Sequence, residues 1–126
     1  MVEHGTYTVE LEGSMIKVTL VGMFNDLATQ AVCLQIEALV DSFNGQGFGL
    51  LFDCTAYEGS TPDAHKVSNQ HILWLNRQNC LARAMAYNHK IQVDIVKNAQ
   101  PAVLQLKNRQ EFYNLQDARN WLLTQL

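Results

Sequence analysis

Asp53, Cys54, Ser60 and Thr61, with His65 just downstream, crowd the stretch FGLLFDCTAYEGSTPDAHK. A carboxylate, a thiol, two hydroxyls and an imidazole this close in sequence could serve as a nucleophile with its base, as metal ligands, as phosphate acceptors or as a contact for a partner's cation. Each of these chemistries has a spacing requirement. Cys54 and His65 can be drawn as a nucleophile–base dyad, but FDCTA lacks the Gly-x-Cys-x-Gly elbow that exposes a nucleophile. His65 and His71 are six positions apart, which puts them on different faces of a helix and leaves no His-x-x-x-His metal pair. Gln46-Gly47-Phe48-Gly49 leads into a strand instead of following one, so its glycines read as turn residues and not as a cradle for a dinucleotide phosphate. The expectation is a chain that is not an enzyme, with no catalytic residue, no cofactor and no metal.

Binding is the remaining chemistry. Asp53 ends an apolar run, where a carboxylate can meet a ligand or a partner's cation, or can bond the N–H groups of its own loop. Tyr57 and Glu58 follow in a polar segment. Thr61 reads as the N-cap of the next helix, with Pro62 in its first turn and Asp63 near the positive end of its dipole. A phosphate on Ser60 or Thr61 would meet free backbone N–H groups and that same dipole. Residues 54–62 therefore form a candidate interaction loop, with Asp53, Tyr57, Glu58, Ser60 and Thr61 as its candidate residues. His71 falls on the apolar stripe of the helix, one turn from Trp74, and reads as a partly buried histidine in preference to a ligand or base.

The elements that would position these residues have a legible order. Tyr7, Val9 and Leu11 alternate with polar residues, Gly13-Ser14 makes a turn, and Ile16, Val18 and Leu20 alternate again, so the first 22 residues read as a hairpin. Asn25 can cap a helix carrying Ala28, Val32, Ile36, Leu39, Val40 and Phe43 at helical spacing, stopped by Asn44-Gly45. A strand follows at 47–53, and a second helix starts at Thr61 with a stripe of Ala64, Val67, His71, Trp74 and Leu75. Residues 83–87 suggest a short strand. Between 89 and 107, IQVDIV could alternate as a strand, but Ile91, Ile95, Ala99 and Val103 fit one helical face, so a helix disturbed near Pro101 is expected. Residues 111–113 suggest a last strand, and Asn114 with Asp117 a capping-box-like start to a last helix with Ala118, Trp121, Leu122 and Leu126. The order is β-β-α-β-α-β-α-β-α. Loops at the carboxyl ends of strands are where α/β folds usually place their sites, which singles out the segment after Asp53.

With the opening hairpin, the apolar strand ending in Phe52-Asp53, the short strand RAMAY and the ending EFYNLQDARNWLLTQL, the chain resembles a SpoIIAA-like domain. This is the STAS-related group of bacterial proteins whose best-understood members are anti-sigma-factor antagonists. The ending is similar to the aromatic strand and helix with an Ala-x-x-Trp-Leu core that closes many such proteins, here Ala118, Trp121 and Leu122. The resemblance covers nearly the whole chain and implies a single α/β domain over residues 1–126, with a mixed sheet and about four helices. It also implies a noncatalytic, regulatory role through protein–protein interaction. In the antagonists a serine at the start of the helix after the central strand is phosphorylated by a partner kinase, usually within Asp-Ser-Ser/Thr-Gly. Ser60 and Thr61 are the nearest positions here, without the preceding Asp or the following Gly.

Composition bounds the rest. A chain of 126 residues can bury about two-thirds of the surface its unfolded form exposes and needs no metal or disulfide to fold. Cys33, Cys54 and Cys80 are odd in number and lack a CxxC pair, which favours a reducing compartment over a disulfide framework. No apolar run reaches the roughly 20 residues of a membrane span, and the start alternates like a strand, so a cytoplasmic location is expected. Residues 1–63 carry nine acids against Lys17, and residues 64–126 carry eight Lys or Arg against three acids. The halves could give an acidic and a basic face suited to a charged partner or a second copy of the chain as a homodimer, or could interleave so that the charges mix. The basic residues lack the aromatic interleaving of a nucleic-acid surface. The partner expected is a protein or the chain itself. The alternative is a small apolar ligand or lipid held between sheet and helices, for which Met15, Met23, Met85, Phe24, Phe112, Trp74 and Trp121 are available.

Overall fold

The alternating opening does form a hairpin: β1 (Thr6–Glu12) pairs antiparallel with β2 (Met15–Phe24), with Val9 opposite Val18 and Leu11 opposite Ile16. Gly13 makes the turn at φ +60°, a conformation open to glycine and costly for most side chains. The computed structural model describes residues 2–126. β2 then pairs in parallel with β3 (Phe48–Ser60), β3 with β4 (Cys80–Tyr87), and β4 with β5 (Arg109–Phe112). The result is a five-stranded mixed sheet in the order β1-β2-β3-β4-β5. Parallel neighbours need crossovers, supplied by α1 (Asp26–Ser42), α2 (Pro62–Leu75) and α3 (Lys90–Ala99), and α4 (Leu115–Gln125) closes the chain.

Three helices start where local chemistry directs them. Asn25 accepts from Ala28 N at 3.0 Å, Thr61 Oγ1 from Ala64 N at 3.2 Å, and Asn114 Oδ1 from Asp117 N at 2.8 Å. Each side chain satisfies an amide that the first helical turn would otherwise leave unpaired. Strand alternation divides the interior in two. Ile16, Val18, Leu50, Phe52, Met85 and Tyr87 face α1, α2 and α3, while Met15, Leu51 and the small row Ala82, Ala84 and Ala86 face Ala118 and Leu122 of α4. The close seat of α4 also uses Gly49, where a Cβ would lie 3.1 Å from Leu122 Cδ1. Trp121 packs against Phe112 with ring centroids 5.9 Å apart.

Three expectations change. The strand expected at 47–53 runs on to Ser60, so residues 54–60 are strand and not loop: β2 keeps pairing alongside it, through two register shifts, as far as Phe24 opposite Ser60. Those shifts break the two-residue period, which is why the polar composition misleads. The stripe of α2 is Ala64, His65, His71, Ile72 and Leu75, while Val67 and Trp74 are only half-buried. His65, which the expected stripe left out, is thus buried along with His71. α3 buries Val93 and Val96 and leaves Ile91 and Ile95 outside at 66% and 50% exposure. Both faces of that helix carry apolar residues, and periodicity could not choose between them. The disturbance expected near Pro101 is present: it opens a separate 3₁₀ turn, Pro101–Gln105, because it has no N–H with which to continue the helix.

Candidate functional site

The extension of β3 redistributes the residues expected to act together. Asp53 lies opposite Thr19 and Ala86 in the register, and its Oδ1 accepts from Thr55 N at 3.1 Å and Thr55 Oγ1 at 2.7 Å. The carboxylate thus braces its own strand. Glu58 is exposed. Tyr57, expected in an exposed loop, is buried at 7% exposure and its hydroxyl shares a hydrogen bond with Ser60 Oγ. Gln92 Nε2 donates to the Tyr57 carbonyl, tying the start of α3 to β3. Thr61 is occupied in capping α2. Tyr57 and Ser60 therefore meet, Glu58 stands on the outside, and Asp53 serves the sheet.

Tyr57 and Ser60 belong to the wall of an internal cavity between the sheet and α1, α2 and α3. Its apolar wall includes Val32, Ile36, Phe52, Ile72 and Val96, and the centre of a water-sized sphere can roam about 70 Å³ inside it. Arg83 is the polar feature of this wall. β4 alternates Ala82, Ala84 and Ala86 toward α4, so Arg83, Met85 and Tyr87 turn to the opposite side, and Arg83 is buried at 5% exposure. Its guanidinium carbon stacks 4.4 Å from the centroid of Phe52. Its Nε and Nη1 have no hydrogen-bond partner among the described residues. Nor does a carboxylate pair with it: Glu111, on the neighbouring strand, is engaged by Arg109 and by Lys97 at 3.2 Å. Burying a cation without a counter-charge is strongly destabilising, so an unpartnered arginine in a wall of this kind is unusual. Sequence reading passed over Arg83, although a lone charge in the otherwise apolar run of a strand with both faces covered is the signal that could have found it.

His71 completes the polar lining. Its Nδ1 lies 2.9 Å from Glu37 Oε2, its ring stacks on Trp74 at 5.7 Å, and its Nε2 is buried without a partner. Burial pushes its pKa below the ordinary 6.5, against the pull of the Glu37 hydrogen bond. The imidazole is therefore neutral near pH 7, donating Nδ1–H to Glu37 and keeping Nε2 as an acceptor. His65 meets Gln100, whose Nε2 lies 2.9 Å from its Nδ1, so it is not a base for Cys54. All three cysteines are free, and burial pushes the Cys54 and Cys33 thiols up to about 12 and that of Cys80 up to about 11. As thiols they are poor nucleophiles. No group of three or more His, Cys, Asp or Glu among the described residues is placed to hold a metal.

A second feature lies on the outside at the carboxyl end of β2 and β3. Thr61 N donates to Phe24 O at 2.9 Å, so the end of β2 abuts the start of α2. Val21 and Met23 are 41% and 53% exposed there. Met23 Sδ lies 3.5 Å from the Cβ position of Gly59, and Glu58 Oε2 lies 3.6 Å from that of Gly22. Exposed Glu58 thus borders an apolar pair, and exposed Asp63 lies in the first turn of α2 nearby in sequence.

No protein-family model matches the chain, and no curated protein does. Solved structures do. An uncharacterised DUF3478-family protein with a SpoIIAA-like fold from Shewanella loihica PV-4 is similar at a TM-score of 0.69 and 14% identity, over 97% of this chain and 96% of that one. An anti-sigma factor antagonist from Mycobacterium paratuberculosis gives 0.66 and 15% over 95% of each chain. The anti-sigma factor antagonist SpoIIAA in its unphosphorylated form gives 0.64 and 6% over 96% of this chain and all of that one. The chain has the SpoIIAA-like fold, an α/β architecture with a five-stranded mixed sheet and four helices.

Proposed function

We propose that this is a noncatalytic, cytoplasmic interaction module that docks a regulatory protein at the rim where β2 and β3 end and α2 begins. The observation that carries this reading is the exposed pair Val21 and Met23 with the exposed Glu58 carboxylate beside it and Asp63 in the first turn of α2. An apolar centre with a polar border is the usual anatomy of a protein interface, and the acidic border suits a partner presenting Lys or Arg. Two of the similar structures are named anti-sigma factor antagonists, which is in keeping with a protein partner. No helix among the described residues is long and apolar enough to cross a membrane. Ser60 and Thr61 sit beside this rim, so phosphorylation there would change its charge. A second copy of the chain is the other partner this rim suits. Affinity capture from the protein's own cells, with Met23→Ser/Glu58→Lys alongside the parent, tests the proposal. A partner held by the parent and lost from an equally stable variant is the expected result, and identical recovery from both would overturn it. A parent that elutes as a dimer and a variant that elutes as a monomer would make the partner a second copy.

The cavity favours a second reading, in which the domain also holds a small ligand between sheet and helices. The supporting observation is the unpartnered Arg83 on its wall.

A further inference from the structure

We propose that the internal cavity binds a small organic monocarboxylate, its carboxylate held by Arg83 and its short alkyl body lying against Val32, Ile36, Phe52, Ile72 and Val96. This rests on the ligand-binding reading above and names the class of ligand. Arg83 is inside the protein with Nε and Nη1 unpartnered, and Phe52 covers one face of the guanidinium without satisfying its N–H groups. The acids nearby are engaged elsewhere, Glu111 by Arg109 and Lys97, Glu37 by His71. Arg109 beside Arg83 in the register adds positive charge to the region. An anion is therefore the missing counterpart, and a carboxylate matches the planar donor geometry of a guanidinium.

Size and lining restrict which anion. A single water needs roughly 10–15 Å³ of such room, so about 70 Å³ holds several waters or one small organic molecule. A long lipid chain exceeds it. Inorganic phosphate would satisfy Arg83 but leave the apolar wall against water, whereas a short-chain acid uses both. The Tyr57 and Ser60 hydroxyls share one hydrogen bond with each other, and Arg83 is the charged group that reads the ligand.

The test is an NMR titration of the isotope-labelled protein near neutral pH with four separate probes: butyrate, hexanoate, 1-hexanol and inorganic phosphate. The amides of Phe52, Ile72 and Met85 report on the cavity. The expected result is saturable shifts at these amides with the carboxylates, weakened by about ten-fold or more in Arg83→Met, as befits loss of a hydrogen bond to a charged group. Replacing an unpaired buried cation with an apolar side chain of similar volume should preserve the fold; if that variant fails to fold, the comparison of hexanoate with 1-hexanol on the parent decides. Equal binding of the two would overturn the carboxylate assignment while leaving a ligand cavity in place. Phosphate bound in preference to hexanoate would overturn it in favour of a bare-anion site. Unmoved cavity amides with all four probes would overturn both the assignment and the ligand-binding reading.

Discussion

Arg83 and His71 show how far a single residue's role depends on what surrounds it. In sequence, Arg83 is one basic residue among several and His71 one position on a helical stripe; the register of β4 puts the first inside, and Glu37 fixes the ring of the second. The caps at Asn25, Thr61 and Asn114 were legible because they depend on residues within three positions. Arg83 was not, because its burial follows from pairing with strands far along the chain. Buried histidines also set a pH response. Burial lowers the pKa values of His65 and His71 from 6.5, so the folded protein resists protons that the unfolded chain takes up. Stability is complete above the unfolded value and declines as pH falls through it toward the lower folded values. Urea midpoints measured from about pH 7.5 down to about pH 5 should fall, and His71→Gln should flatten the decline. A midpoint that rises over that range would contradict the assignment of neutral, buried rings.

At the scale of elements, β3 is the decisive case. Its first half, Phe48 to Phe52, is buried on both faces and reads plainly as a strand. Its second half alternates buried Cys54 and Tyr57 with exposed Ala56 and Glu58 through irregular pairing to β2, so composition alone reads it as loop. α3 shows the complementary failure: its helical nature was legible, but the face it buries is chosen by the core around Val93 and Val96 and by the bond from Gln92 to Tyr57. The extended β3 makes a measurable difference. Amides of residues 54–60 that face β2 should exchange with solvent far more slowly than those of the turn at Gly13-Ser14. Exchange at equal rates would restore the loop.

For the molecule as a whole, the order of the sheet follows the order of the chain. The acidic first half supplies β1 to β3 with α1 and the basic second half β4 and β5, but the halves meet where α2 packs on α1 and α4 seats on β3. Much of the basic charge is nonetheless internal or paired: Arg83 is buried, Arg109 and Lys97 meet Glu111, and Arg119 reaches across to Glu12 at 2.6 Å. What is left is a molecule with an acidic rim around Val21 and Met23 at one end and an arginine-bearing cavity within.

Hydrogen-exchange mass spectrometry of the protein alone and with its captured partner locates the docking surface on the molecule. New protection is expected in residues 21–24 and 58–63, with α4 unchanged. Protection confined to α4, or to α1, would place the docking surface elsewhere.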